Sequence, residues 1–328
     1  MSTVAERLST VSFGEAQKHQ NLTMIPLLAE GPAQPDYRLL DEAISSGSAR
    51  VTEVSDSGSV PELKFTNDGD QPVLLLDGEE LIGAKQNRIL NLTVLAPANE
   101  SSVIPVSCVE AGRWHSESRE FSSAKRAHFA RGRANKATQI NAAMRTTGER
   151  RSHQGEVWRE IREKSERLEA PSLTEAADAM YQTHRVNLDE YKRAFRAVDG
   201  QAGALFAING ETLGFDMFDS PATLARMFPM LVESFALDAI DSPMEERETP
   251  DPEPENFLKQ TASVGVEQFP AVGEGEDLRL EGNGLSGGAL VARDRVIHLC
   301  VFRIPTGDEG RETNARMLRA SLRRRNHA

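Results

Sequence analysis

The chain changes its hydrophobic rhythm several times, and those changes outline its elements. Residues 22–28 are almost entirely apolar and predict a first strand; residues 37–46 predict a short helix ending before Gly47. Residues 50–54 and 63–67 lie between turn-rich separators and predict two more strands. Residues 73–76 form an unbroken apolar run, as in a strand buried on both faces. Asp77-Gly78 follows as a hairpin signal, because glycine tolerates the positive φ of a type I′ turn.

Two alternating rows come next. In 88–95, Arg88, Leu90, Leu92 and Val94 share a face; in 102–110, Ile104, Val106, Cys108 and Glu110 share one. The short link between them holds Pro97 and Asn99, so an antiparallel hairpin is expected. Matching the apolar rows requires paired residue numbers with an even sum, since a slip of one residue turns a row outward. The favoured pairing sets Val94 against Ile104, Leu92 against Val106 and Leu90 against Cys108. It leaves Arg88 opposite Glu110, an ion pair at the end of a core row.

Beyond Glu110 the pattern weakens. Apolar density collapses from 116 to 152, which predicts a long mobile loop, either a lid over a site or disorder. A helix resumes over 154–168 with Val157, Trp158, Ile161 and Leu168 as its apolar stripe. Further helices are expected over 173–181 and 188–198, and a hairpin turns at Asn209-Gly210 between 204–209 and 212–218. Ser220-Pro221 opens a helix with Leu224, Phe228, Leu231 and Phe235 inward, which Pro229 should kink or split. Residues 241–256 carry four prolines and seven acids against one arginine, an extended linker. Strands return over 277–280, 287–292 and 296–302, and a basic helical tail over 311–325. The whole reads as α+β, mainly antiparallel sheets with flanking helices and a long basic loop-to-helix insertion. Its parts are an N-terminal core (1–115), the basic loop and helical segment (116–200), a second core block (201–305) and the tail (306–328).

Composition narrows the class. Of 328 residues, 39% are hydrophobic and 27% charged, as in a soluble globular protein. No window approaches ~18 uninterrupted apolar residues, which argues against a membrane span. The polar N-terminus lacks a signal core, so a cytoplasmic location is expected. Cys108 and Cys300 both fall in apolar strand patterns and read as reduced core residues. The net charge of −12 conceals a basic segment: 113–151 holds ten Lys or Arg against three Glu. Such a segment suits internal docking or an anionic partner.

The chemistry concentrates in residues 76–91, LDGEELIGAKQNRILN. Glu79 and Glu80 alternate faces of a strand, so one is a candidate general acid or base and the other is expected to be solvated or structural. Glu110 is a third candidate carboxylate. Lys85 and Arg88 can hold a phosphate or carboxylate, Arg88 through a planar fork and Lys85 as a point charge. Gln86 and Asn87 offer amides for a ribose or serve as turn residues. Arg113 and Trp114 present surfaces for stacking on a base, or Trp114 plugs a core edge. Gln154 and Trp158 stand one turn apart on the next helix, Trp158 reading first as core. None of the seven histidines has a helical metal-ligand spacing, and no metal is expected. His298 reads as a satisfied core histidine. The glycines of 282–288 do not match a dinucleotide fingerprint.

The run 77–91, together with IPVSCVEAGRW (104–114) and QGEVW (154–158), resembles the ARG and rhodanese–phosphatase-superfamily-associated protein domain, a prokaryotic family. Residues 203–237 and 273–302 fit it as well. The resemblance implies genomic company with ADP-ribosylglycohydrolases, hence a link to NAD or ADP-ribose metabolism, but it assigns no reaction and leaves the cofactor unknown. Two functions are carried forward. One is an enzyme or binder of a small anionic, nucleotide-like ligand, with a hydrolase-type activity if it is an enzyme. The other is a non-catalytic module whose basic loop and tail bind nucleic acid or an acidic protein. The few aromatics of that loop, Trp114, Phe121 and Phe129, are thin for stacking on single strands.

Overall fold

The computed structural model describes residues 3–116, 118–244 and 251–304. Its two main bodies are a closed β-barrel and a large antiparallel sheet, an α+β architecture. The barrel has six strands in the order Glu100–Cys108, Glu62–Asn67, Ala49–Glu53, Phe121–Ala127, Glu79–Gly83 and Arg88–Leu90, the last returning to the first. Alternation along each strand puts Val51, Leu63, Phe65, Leu81, Leu90, Ile104, Val106 and Phe121 into one interior cluster. Helix Leu40–Ser45 and a small sheet of Val94–Ala96, Val73–Leu75 and Arg38–Leu39 add Leu40, Ala43, Val73, Leu75, Val94 and Ala96 to that cluster.

The nine-stranded sheet runs Ser12–Phe13, Leu22–Leu28, Gln201–Ile208, Glu211–Phe218, Arg295–Arg303, Leu285–Ala292, Glu276–Gly282, Gly265–Pro270, with Gln17–His19 paired to Leu22–Leu28. The hairpin about Asn209-Gly210 forms as its residues predict, both of them at positive φ. Helix Pro221–Asp241 begins where Ser220 accepts a hydrogen bond from the Ala222 amide, and it runs through Pro229 without splitting.

Several expectations are corrected. Residues 88–95 are not one strand: Arg88–Leu90 belongs to the barrel and Val94–Ala96 to the small sheet. The pairing sum stays even, but Arg88 lies opposite Cys108 and Leu90 opposite Val106, two residues from the expected register. Asp77-Gly78 does not close a hairpin, although Gly78 does adopt φ 77°; strand Val73–Leu75 pairs with Val94–Ala96 and Arg38–Leu39 instead. Residues 173–198 hold helices Asp178–Thr183 and Arg185–Ala194. The acidic stretch contributes helix Pro254–Ala262 at its end. Residues 245–250 of that stretch and the basic tail lie outside the described residues.

The largest correction concerns 116–152. Phe121–Ala127 is a barrel strand and Ala130–Thr147 an 18-residue helix, so the segment is built into the fold and is not a lid. Its buried cations, Arg126, Arg133 and Lys136, are consumed internally. Arg133 donates from Nε to Asp77 at 3.2 Å and from Nη1 and Nη2 to Asp216 at 3.0 and 2.6 Å. Lys136 reaches Asp77 at 2.7 Å and the carbonyls of Leu90 and Asn91 at 2.7 and 3.0 Å. His298 bridges Asp216 at 3.1 Å and the Thr93 hydroxyl at 2.8 Å, which makes it the satisfied core histidine expected. This buried network fastens helix to barrel through Asp77 and to the large sheet through Asp216.

Candidate functional site at the barrel mouth

At the barrel end opposite the small sheet, the inward row of three strands turns polar. Val51, Leu90 and Val106 are core residues, and the next inward positions along their strands are Glu53, Arg88 and Cys108. The loop from Gly83 to Asn87 borders this mouth. A Cβ on Gly83, whose φ is 128°, would come within 2.7 Å of the Ser118 hydroxyl and 2.9 Å of the Glu120 carbonyl. Ala84 adopts φ 41°, a left-handed conformation uncommon outside glycine. The contacts of Arg113 hold it there. Arg113 donates to the carbonyl of Ala84 at 2.6 Å, to Asn87 Oδ1 at 3.1 Å and to Glu110 Oε2 at 2.6 Å. The Asn87 amide donates to the same Glu110 oxygen at 3.0 Å.

Glu110 therefore pairs with Arg113 and not with Arg88. Burial pushes its carboxyl up, but the Arg113 guanidinium and the Asn87 amide leave it below the usual range. Arg88 is left in an unusual state. It is fully buried; Nη1 donates to Gln86 Oε1 at 3.2 Å and weakly to the Asn87 carbonyl at 3.5 Å. Nε and Nη2 make no hydrogen bond among the described residues. Burial lowers its pKa, opposed by the neighbouring Cys108 thiol and the carboxylate of Glu53. Trp114, 48% exposed, lies over this group, its ring centroid 5.8 Å from the Arg88 guanidinium and 5.5 Å from Lys85 Nζ.

Cys108 sits beside this cation. Its thiol is 3.1 Å from Gln86 Oε1 and 3.2 Å from the Glu110 carbonyl, and Trp158 faces it. Burial pushes the thiol up, against the pull of Arg88. Gln154 accepts from the Cys108 amide at 2.8 Å and donates to its carbonyl at 2.7 Å, completing a ladder rung where the strand ends. The Cys108 thiol bonds Gln86 and the Glu110 carbonyl, and the His298 ring bonds Thr93 and Asp216, so the two are not partners of each other.

A family model described as the ARG and Rhodanese-Phosphatase-superfamily-associated Protein domain matches residues 10–302. The chain belongs to this family. No curated protein matches the chain, and no solved structure matches it. The match spans both the barrel and the large sheet of this ARG and Rhodanese-Phosphatase-superfamily-associated domain.

Nine of the residues singled out in the sequence, Lys85, Gln86, Asn87, Arg88, Glu110, Arg113, Trp114, Gln154 and Trp158, converge around the mouth. Glu79 and Glu80 do not join them. Both are buried, because the barrel wall is covered on its two faces. Glu80 pairs with Arg126 at 2.7 Å, and Arg126 also binds Asp178. Glu79 shares the inward face of Leu81 and lies toward helix Leu40–Ser45. Burial raises its carboxyl to about 8, while the Leu76 amide and the Ser123 hydroxyl act in the opposite direction. The residue that sequence reasoning missed is Glu53, whose Oε1 receives the Lys85 amide at 3.4 Å and whose buried Oε2 has no partner among the described residues. The Val51–Glu53 alternation was the available signal: an acid on the inward face at a strand end.

One group elsewhere has ligand-type atoms. Asp216, His298 and Cys300 bring theirs within 4.8 Å of one another. Arg133 binds both Asp216 oxygens, so the charge a cation would seek is already neutralised.

Proposed function

We propose that this protein binds a small anionic, nucleotide-like ligand at the barrel mouth. The observation that carries the reading is Arg88: a buried guanidinium with no carboxylate bonded to it and its Nε–Nη2 edge unoccupied by any described residue. Burying a charge without a partner is costly, and that edge offers two parallel donors in the geometry of a carboxylate or phosphate. Trp114 supplies a half-exposed aromatic surface for a base, with Lys85 at its rim. Mouths of barrels are common ligand sites. The family's suspected link to NAD or ADP-ribose makes those molecules the first to try.

On this reading Arg113, Glu110, Asn87 and Gln154 are positioning residues that hold the loop and Trp114. A hydrolase-type reaction is part of the proposal only if turnover is found; Glu79 and Glu80 lie away from Arg88 and are not assigned to it. The nucleic-acid reading loses support because Arg126, Arg133 and Lys136 of the basic segment are buried in ion pairs. Calorimetric titration with ADP-ribose, NAD and AMP tests the proposal. At least one should bind the parent protein, and Arg88→Lys should weaken it roughly ten- to a hundredfold, the range for a charge-assisted bidentate contact. Binding unchanged by Arg88→Lys places the site elsewhere.

A further inference from the structure

The mouth holds a second unpartnered group, and its sign is opposite. Glu53 Oε2 is buried without a hydrogen bond among the described residues, on the same inward rim as Arg88 and near enough to counter the effect of burial on it. Resting on the anion-binding reading above, we infer that the ligand is a hydroxylated anion: its anionic group lies on the Nε–Nη2 edge of Arg88, and an adjacent hydroxyl donates to Glu53.

A bare anion on Arg88 would meet the field of the Glu53 carboxylate, which repels it. A ligand with a donor beside its anionic group turns that repulsion into a hydrogen bond, and it satisfies both unpartnered groups at once. The formal charges favour a hydroxyl over an ammonium as that donor. Glu110 is neutralised by Arg113 at 2.6 Å, which leaves Arg88 and Lys85 facing Glu53 alone, one positive charge in excess. A zwitterion carries no net charge to offset the excess, whereas a hydroxylated anion does. Sugar phosphates and hydroxy acids share this chemistry.

Two matched pairs of probes, each titrated against the full chain, separate these sources: ribose 5-phosphate against ethyl phosphate, and lactate against propionate. In at least one pair the hydroxylated member should bind the parent protein roughly ten- to a hundredfold more tightly, the range for a hydrogen bond to a charged group. Glu53→Ala should collapse that preference while leaving the simple anion as tight as before or tighter. Glu53→Gln, which keeps an acceptor and the side-chain volume, should retain part of the preference and guards against a folding defect, monitored by melting temperature. Simple anions bound through Arg88 with no gain from a hydroxyl would overturn the inference and leave the anion site standing. A preference that survives Glu53→Ala would overturn it as well. If no probe binds in an Arg88-dependent way, the anion site falls with it.

Discussion

Arg88 and Arg133 are both fully buried, and they live in opposite circumstances. Arg133 spends all three nitrogens on two carboxylates, and those carboxylates leave its pKa raised despite burial. Arg88 spends one nitrogen on amide oxygens, and burial leaves its pKa lowered. A buried ion pair that is fully hydrogen-bonded holds elements in register; a buried cation left half-bonded costs stability that only a ligand can return. The contrast separates a structural junction from a candidate binding site by their hydrogen-bonding accounts, with no appeal to residue type.

The largest expected effect tests that separation directly. Arg133→Met takes the guanidinium from Asp216, leaving it His298, and one of the two cations from Asp77, which keeps Lys136; breaking these buried pairs should cost about 3–5 kcal/mol. Arg88→Met fills similar space without abandoning a bonded carboxylate, and Gln86 Oε1 still receives the Cys108 thiol. It should be neutral within about 1 kcal/mol or stabilising, as substitutions that trade function for stability often are. Urea denaturation of both variants decides the matter. Equal losses would erase the distinction.

These two regions were unequally legible in the sequence. Around Arg88 most of the participants are local: the run from Lys85 to Arg88, the alternation to Cys108 and Glu110, and the Arg113-Trp114 pair lie within thirty residues or so. Parity of pairing could be read from apolar rows, but absolute register could not, because shifting by two residues keeps every side chain on its face. That shift is what separated Arg88 from Glu110. The junction was invisible for a different reason. Helix Ala130–Thr147 buries Arg133, Lys136 and Asn141 alongside alanines and Ile140, so its inward face carries no continuous apolar stripe. Barrel closure by Phe121–Ala127 was equally hidden, since that strand sends few apolar side chains inward and its pairing with Glu79–Gly83 is broken by a register shift near Lys125, at φ 54°.

A second effect sets the two bodies at opposite ends of the pH scale. Burial alone would raise the Asp216 carboxyl; Arg133 and His298 instead bring it from 3.8 to about 2. Its contribution to stability is therefore present above pH 3.8 and lost as pH falls through about 2. Glu79, in the barrel wall, behaves in reverse. Its carboxyl is raised from 4.5 to about 8, so the folded state holds a proton that the unfolded chain releases, and stability declines as pH rises across that interval. The slope is at most about 1.4 kcal/mol per pH unit. Stability of Glu79→Gln measured from pH 5 to 8 should lack it. A parent protein with the same pH profile as Glu79→Gln would show that this carboxyl is ionised in the fold.

The smallest effect is spectroscopic and reports on the mouth itself. Trp114 and Trp158 are the two tryptophans of the chain, so Trp158→Phe leaves Trp114 as the sole indole emitter. Trp114 is 48% exposed and interacts with Arg88 and Lys85 across 5.8 and 5.5 Å, contacts that contribute about 0.5–1 kcal/mol each at exposed sites. Its emission should accordingly begin near that of a solvated indole. A ligand that lies between the ring and solvent should shift the emission to shorter wavelength or quench it, with a midpoint matching the calorimetric Kd. Trp114→Ala should weaken a ligand carrying a base by roughly five- to a hundredfold, the range for stacking on one ring, and leave ethyl phosphate nearly unaffected. Equal weakening of both would mean that Trp114 serves the loop and not the ligand. The aromatic half of the site would then have to be sought at Trp158, beside the Cys108 thiol.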